Sequence, residues 1–283
     1  MMTFSIVGFD PNTKELGVAV QSKFLGVGSV VPWAKAGVGA VATQSYANTS
    51  YGPKGFELIA SGKCAKEAVA MLTVEDDQSE LRQVGIVDAM GNAATYTGEK
   101  CYDWAGGITG QYFAAQGNIL VSEETVTAMG RTFEEAEGAL AERLLKALDA
   151  GQEAGGDSRG KQSAALLVVK ENGGYGGFND RYIELRVDDH LDPIKELIRI
   201  YQLHQLYFAS TREENIVHIE GNVKDELTEQ LIKHGYLHTG AKISEKTLYE
   251  ALTTYIHSEN FEAREQEKGK IDREVLQYMK LPK

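Results

Sequence analysis

Two seven-residue runs near the start constrain this chain more than any other feature. Thr3-Phe4-Ser5-Ile6-Val7-Gly8-Phe9 and Leu16-Gly17-Val18-Ala19-Val20-Gln21-Ser22 both read as strands. The stretch Asp10-Pro11-Asn12-Thr13-Lys14-Glu15 between them has the composition of a hairpin connection. With Phe9 opposite Leu16, antiparallel pairing keeps the sum of paired positions constant, so Thr3 faces Ser22 and Lys23 lies one step beyond. A strand that begins with a hydroxyl residue therefore carries a second hydroxyl and a lysine at its head. Only Met1 and Met2 precede Thr3. If Thr3 heads the mature chain, its α-amine serves as general base for its own side chain. Such an amine titrates near about 7.7–8, and a neighbouring lysine lowers that value by like-charge repulsion. The same Lys23 also reads as an ordinary surface residue at a strand end.

The rest of the composition narrows the chemistry. All six histidines fall at or beyond residue 190, so hydrolytic chemistry in the first part needs a base other than imidazole. The net charge is −12, against nucleic-acid or anionic-membrane binding driven by a general positive field. Neither part is a basic module, with 16 Lys/Arg against 25 Asp/Glu up to residue 190 and 13 against 16 beyond it. Cys64 and Cys101 read as reduced structural thiols. The sequence shows no basic-then-apolar leader and no apolar run near 18 residues, and the expectation is a cytoplasmic protein without membrane contact.

Of the 30 glycines, 26 lie before residue 190, where the chain changes character. Strands are expected at 3–9, 16–22, 27–31, 38–44, 83–88, 92–97, 112–117, 163–170 and 181–187, with helices at 52–61, 65–73 and 122–150. Two strand groups separated by helix pairs suggest stacked antiparallel sheets between helices. Beyond Asp188-Asp189-His190 the pattern turns helical. Pro193 opens a helix to about Leu206, Val223–His234 ends at Gly235, and Ser244 caps a third. The expected domains are 1–190 and 191–283, the second a small all-α module. His234 and His238 are separated by a helix-breaking Gly235, so no metal site is expected. Gly155–Gly160 lacks a following Lys-Ser/Thr pair, which argues against a phosphate loop.

Several motifs resemble one family. Thr3-Phe4-Ser5-Ile6-Val7, Gly17–Phe24, Val31-Pro32-Trp33-Ala34, Gly37–Gln44, Asn48-Thr49-Ser50-Tyr51-Gly52, Arg82-Gln83-Val84-Gly85 and Gln116-Gly117-Asn118 carry the resemblance. It continues through Gly155–Ala164, Gly174-Tyr175-Gly176-Gly177, Asn179–Tyr182 and Leu185–Asp189. Together they resemble the Ntn-hydrolase-like family known as domain of unknown function 1028. The resemblance implies an αββα four-layer sandwich of the N-terminal-nucleophile type, with Thr3 as nucleophile. Here two methionines precede Thr3, one more than is usual in the family, and the device requires both to be absent from the mature chain. Residues 200–280, with Gly221-Asn222-Val223, His234-Gly235-Tyr236 and Thr247–Leu252, resemble the peptidoglycan-binding-like module often appended to this family.

The expected activity is hydrolysis of a small amide, peptide-like or cyclic amide through an acyl-enzyme on Thr3. Ser22 and Lys23 would tune the amine. Asn48 and the Gln116-Gly117-Asn118 turn, Asn118 above all, are candidate oxyanion or substrate contacts, Gln44 a further donor, and Tyr51, Asp157 and Arg159 substrate-side residues, although Asp157 and Arg159 could simply pair. No cofactor is expected. A peptidoglycan fragment is a possible ligand of the second module, and a layered sheet fold is compatible with homo-oligomers. The alternative, from a different class, is a non-catalytic binding or scaffolding protein.

Overall fold

A computed structural model describes residues 3–239 and 243–281. The hairpin forms in the expected register. β1 (Thr3–Phe9) and β2 (Leu16–Ser22) pair antiparallel, with Phe9 opposite Leu16 and Thr3 opposite Ser22. Asp10 organises the turn, its Oδ1 accepting the Asn12 and Thr13 amides at 2.8 and 3.2 Å.

Two short strands follow, β3 (Pro32–Lys35) and β4 (Gly39–Ser45), then the helices α1 (Tyr51–Ala60) and α2 (Ala65–Val74). Next come β5 (Arg82–Asp88), β6 (Ala93–Thr97), β7 (Gly106–Gly110) and β8 (Phe113–Asn118). The helices α3 (Glu124–Glu135) and α4 (Leu140–Glu153) precede the last pair, β9 (Ser163–Val169) and β10 (Arg181–Val187). A six-stranded sheet has the order β10-β9-β2-β1-β8-β7, and a four-stranded sheet the order β3-β4-β5-β6. Every strand pair in them is antiparallel.

Strand alternation decides what fills each layer. Val7, Phe9, Leu16 and Val18 point from the six-stranded sheet onto Ala40, Ala42 and Val87 of the four-stranded sheet. The outer face of the four-stranded sheet, with Val41, Val84 and Ile86, takes Ala68, Val69 and Leu72 from α2. On the far side, α3 and α4 cover the six-stranded sheet, with Phe133 and Leu140 seated over Gly8 and Leu144 over Gly17. The order of layers is helices, sheet, sheet, helices, and β1 lies central in the larger sheet.

Some expectations need correction. Residues 27–31 are not a strand: Gly26 turns left-handed at φ 65 and a 3-10 turn follows over Val27–Ser29. Val27 and Val31 are still buried, which explains the apolar signal. The expected helix at 122–150 is two, broken where Ala136 is extended and Gly138 takes φ 110. The glycine-rich β7 has no apolar alternation and was not expected.

The chain divides into two compact units between Arg199 and Ile200. The division falls inside α5 (Pro193–Phe208), which starts at Pro193 as expected. The second unit holds β11 (Ile216–His218), α6 (Gly221–Lys233), α7 (Glu245–Ser258), β12 (Lys270–Asp272) and α8 (Arg273–Met279). It is therefore mainly helical rather than all-α, because β11 and β12 form a two-stranded antiparallel sheet. Strands of three residues are too short to show a period of two. Gly235 at φ 81 stops α6, and the Ser244 hydroxyl caps α7 by accepting the Thr247 amide.

The tight fit of β1 against the helices is testable. A Cβ at Gly8 would lie 3.0 Å from the Phe133 ring and 3.2 Å from Leu140. Gly8→Ala should cost about 1–3 kcal/mol through overpacking, read as a lower urea midpoint with unchanged slope.

Candidate active site at the polar end of the sheet interface

The space between the two sheets changes chemistry along its length. At one end it is filled by Val7, Phe9, Val18 and Ala42. At the other, the positions that alternation turns inward hold Thr3, Ser5, Ser22, Gln44, Gln83, Gln116 and Asn118, every one at most 1% exposed. Buried amides and hydroxyls cost free energy unless hydrogen-bonded, and here they bond one another, with Gln116 Oε1 the exception in this cluster.

Register brings them together. Thr3 pairs with Ser22 on one side and Asn118 on the other, Ser5 with Gln116, and Gln44 with Gln83. The Thr3 hydroxyl donates to Ser22 Oγ at 3.1 Å. Gln116 Nε2 donates to Ser5 Oγ at 2.7 Å, and Ser5 Oγ donates to Gln44 Oε1 at 2.6 Å. Gln44 Nε2 in turn reaches Gln83 Oε1 at 2.8 Å and the Thr3 carbonyl at 3.2 Å. Gln83 Oε1 also accepts from Asn118 Nδ2 at 2.8 Å. The Gln83 amide nitrogen donates to Gly117 O, Thr97 Oγ1 and Gly106 O, at 2.7, 2.9 and 3.2 Å. Glycine is required at position 85, where a Cβ would meet the Gln116 amide oxygen at 1.9 Å.

Of the residues singled out in the sequence, Thr3, Ser22, Gln44 and Asn118 share this network. Lys23 does not join them through its side chain. Its ammonium is exposed and donates to Lys161 O at 3.3 Å, while its backbone amide donates to Asp157 Oδ2 at 3.0 Å. Asp157 is buried and pairs with Arg159, whose Nε and one terminal nitrogen reach its two oxygens at 3.1 and 2.8 Å. That pair latches the end of β2.

Asn48 and Tyr51 belong to a second cluster, built on Asp76. Its Oδ2 accepts from Asn48 Nδ2 at 2.9 Å, from the Tyr51 hydroxyl at 3.0 Å and from Arg82 Nε at 3.0 Å. The Gln78 amide donates to Oδ1 at 2.9 Å. Burial opposes ionisation of Asp76, but the bonds from Arg82, Asn48, the Gln78 amide and Tyr51 outweigh it and hold the carboxyl well below the usual range. Burial and the bond to Asp76 push the Tyr51 hydroxyl up. A cleft of about 210 Å³ lies here, lined among others by Asn48, Tyr51, Lys54 and Asp76. Arg82 also donates to Tyr46 O at 2.7 Å. Since Ser45 pairs with Arg82 and Gln44 with Gln83, the Asp76 cluster braces the strand ends that carry the two glutamines.

Ser5 and Gln83 were not among the expected site residues, and Gln116 entered only with the Gln116-Gly117-Asn118 turn as a candidate donor. Their signal was available: polar residues at inward positions of otherwise apolar strands, each facing another polar residue across the register. Among the described residues no group of His, Cys, Asp and Glu could hold a metal ion, and no helix is long and apolar enough to cross a membrane.

The first unit thus defines a layered α/β protein with a buried hydroxyl and amide cluster at the head of its central strand. The chain belongs to the family of unknown function DUF1028, whose family model matches residues 3–197, as the sequence motifs indicated. A second family model, described as "Putative peptidoglycan binding domain", matches residues 207–279. The crystal structure of protein SPO2555 from Silicibacter pomeroyi, titled with the same DUF1028 family, is 29% identical with a TM-score of 0.66. That match covers 80% of this chain and 93% of the other. Anbu (ancestral beta-subunit) from Yersinia bercovieri matches over 71% of this chain and 94% of its own, at 9% identity and a TM-score of 0.33, which carries no argument. No curated protein matches the chain.

The Asp76 cluster yields a prediction with a definite sign. A carboxyl whose pKa is depressed by folding stabilises the native state above its unfolded value, near about 3.9, and loses that contribution as pH falls through the folded value. Asp76→Asn should cost about 1–3 kcal/mol at neutral pH. The gap between wild type and variant should narrow below about pH 4, measured by urea unfolding at several pH values.

Proposed function

We propose that this protein is an N-terminal-nucleophile hydrolase of a small amide, peptide-like or cyclic amide, acting through an acyl-enzyme on Thr3. The observation that supports the reading is the Thr3 hydroxyl at the head of the central strand, bonded to Ser22 and flanked across the register by Asn118. Hydrolysis of the Met2–Thr3 bond is the prerequisite, since it creates the α-amine on Thr3. That amine takes the hydroxyl proton as Oγ attacks the substrate carbonyl. The tetrahedral intermediate collapses, the amide C–N bond breaks, and the leaving amine carries off the proton. Water then attacks the ester on Thr3 and restores the hydroxyl.

The remaining residues divide by position. Ser22 accepts the Thr3 hydroxyl bond and orients it. Asn118 is the side chain proposed to face the oxyanion, and loss of one such donor typically slows acyl transfer about 10²–10³-fold. Asn48 is left out of this chemistry because its amide group serves Asp76 and Ser50. Lys23 is left out because its ammonium faces Lys161 O.

The test begins with intact mass, which should show a mature protein starting at Thr3. Incubated with a β-lactone, that protein should gain one adduct on Thr3, with a rate that rises through the amine pKa near about 7.7–8. Thr3→Ser should keep the adduct and Thr3→Ala should lose it. A protein that starts at Thr3 and takes no adduct is a binding or scaffolding protein, and the hydrolase reading falls.

A second reading concerns the second unit alone. The family model matched over residues 207–279 favours binding of a peptidoglycan fragment. Cosedimentation of the full chain with purified, washed peptidoglycan should deplete it from the supernatant. Equal loss of a chain truncated after Arg199 would count against this role for the unit.

A further inference from the structure

Among the described residues Gln83 has no hydrogen bond to Thr3, yet the two arms of the buried network meet on it. The polarity of its amide is decided by backbone. Gly117 O and Gly106 O can only accept, so the Gln83 nitrogen must face them, at 2.7 and 3.2 Å. Its Oε1 then faces the other way, towards Asn118 and Gln44, which must both present nitrogen, and they do so at 2.8 Å each. One carbonyl-anchored side chain from the four-stranded sheet thereby sets the amide orientation of Asn118, while Gln44, whose Nε2 also donates to the Thr3 and Gln116 carbonyls at 3.2 and 3.3 Å, is held in place by Gln83. Asn118 uses one Nδ2 hydrogen on Gln83 and keeps a second on the same nitrogen. Cross-strand pairing places it opposite Thr3, where facing Cβ atoms stand about 4.5–5.5 Å apart. Gln44 holds the Thr3 carbonyl itself.

We propose that Gln83 is a positioning residue for the Thr3 site: it fixes which end of the Asn118 amide serves as donor and, through Gln44, where the Thr3 backbone sits. The proposal rests on the reading of Thr3 as nucleophile. An Asn118 freed from Gln83 can turn its oxygen towards the developing oxyanion, which repels it. Gln83 is fully buried, and its role needs neither contact with substrate nor a proton transfer.

The experiment uses the full chain with its N-terminus verified at Thr3 and a β-lactone as probe. In acylation the Thr3 Oγ bonds to the lactone carbonyl carbon, the ring C–O bond breaks, and the hydroxyl proton passes through the amine to the released alkoxide. Gln83→Leu should lower the second-order acylation rate roughly 10–100-fold. Thr97→Val removes another partner of Gln83 without touching Asn118 or Gln44, and should leave the rate unchanged even where it lowers the melting temperature. The double variant Gln83→Leu/Asn118→Ala should be slower than Asn118→Ala by a smaller factor than Gln83→Leu slows the wild type, because only the route through Gln44 remains.

Gln83→Glu tests orientation without loss of volume. A protonated carboxyl at this position can donate to the carbonyls, whereas an ionised one cannot. The wild-type rate should rise through one ionisation, and the variant should fall again at higher pH, giving a bell. This variant also carries the test if Gln83→Leu does not fold. Wild-type rates and pH profile in the folded Gln83 variants, or a fully multiplicative double variant, would overturn the proposal while wild-type labelling keeps the hydrolase reading intact. Absence of any wild-type adduct removes both.

Discussion

An amide buried between two sheets must find its partners inside the protein, and that requirement organises the first unit. An unpaired buried polar group costs on the order of 1–3 kcal/mol, so a layer with four buried amide side chains is tolerable only when they bond one another. Here Gln44, Gln83 and Asn118 bond one another and Gln116 bonds Ser5, its Oε1 alone left without a partner among these four amides, and together they reach backbone carbonyls of Thr3, Ser5, Gln116, Gly117 and Gly106. The glutamines of the four-stranded sheet thus bond the backbone of the six-stranded one. Apolar packing alone allows neighbouring sheets to slide by small steps, whereas these bonds hold only in one register. The head of β1 is consequently held from both neighbouring strands and from the facing sheet.

Much of this was legible where it depended on local pairing. The constant sum across the first hairpin places Thr3 beside Ser22, and the structure has that pair. Once β5 is known to neighbour β4, and β8 to neighbour β1, the same rule, with a different constant for each pair, sets Gln44 opposite Gln83 and Ser5 opposite Gln116. What sequence could not supply is which strands are neighbours, since β1 lies between β2 and β8 although more than a hundred residues separate β1 from β8 along the chain. Nor could it say which sheet faces which, and Gln83 becomes visible as a junction only once β5 is stacked over β8. Lys23 shows the opposite limit. Its backbone position follows from register, but a long side chain at a strand end can leave in several directions, and the buried Asp157 bonds the Lys23 amide, with the ammonium left in solvent. Asn48 was a candidate contact with no strand pairing to place it, and a carboxylate 28 residues away took its amide.

The second unit meets the same burial constraint with charge instead of amides. Arg264 is 3% exposed and donates to Asp272 Oδ2 at 2.8 Å and Glu274 Oε2 at 2.6 Å. It also donates to the carbonyls of Leu206 and Gln205 at the end of α5, at 2.9 and 2.7 Å. A guanidinium presents five donors in a rigid fork, and this one satisfies two helix-terminal carbonyls and two carboxylates together. The apolar cluster of Leu227, Leu231, Tyr255, Phe261 and Val275 packs around the same segment of chain. Buried ion pairs are weak evidence of net stability, and their clearest effect is to make alternative arrangements costly. In a unit of this size that serves to fix one packing of short helices.

The contrast between the two devices bears on chemistry. The chain carries a net charge of −12, yet Thr3, Ser5, Ser22, Gln44, Gln83, Gln116 and Asn118 all have neutral side chains. A carboxylate at any of these positions would change charge with pH, impose a field on a neighbouring amine and oppose a developing oxyanion. Glutamine and asparagine supply donors of fixed polarity instead, and their orientation is inherited from backbone carbonyls that do not titrate. The ionised groups stand one step outside, with Asp76 and Arg82 bracing the ends of β4 and β5, and Asp157 and Arg159 latching the end of β2. Charge at the rim fixes the frame, and neutral amides inside fix the direction of each hydrogen bond. On the proposed reading, an α-amine on Thr3 would then be the group whose protonation decides reactivity near neutral pH.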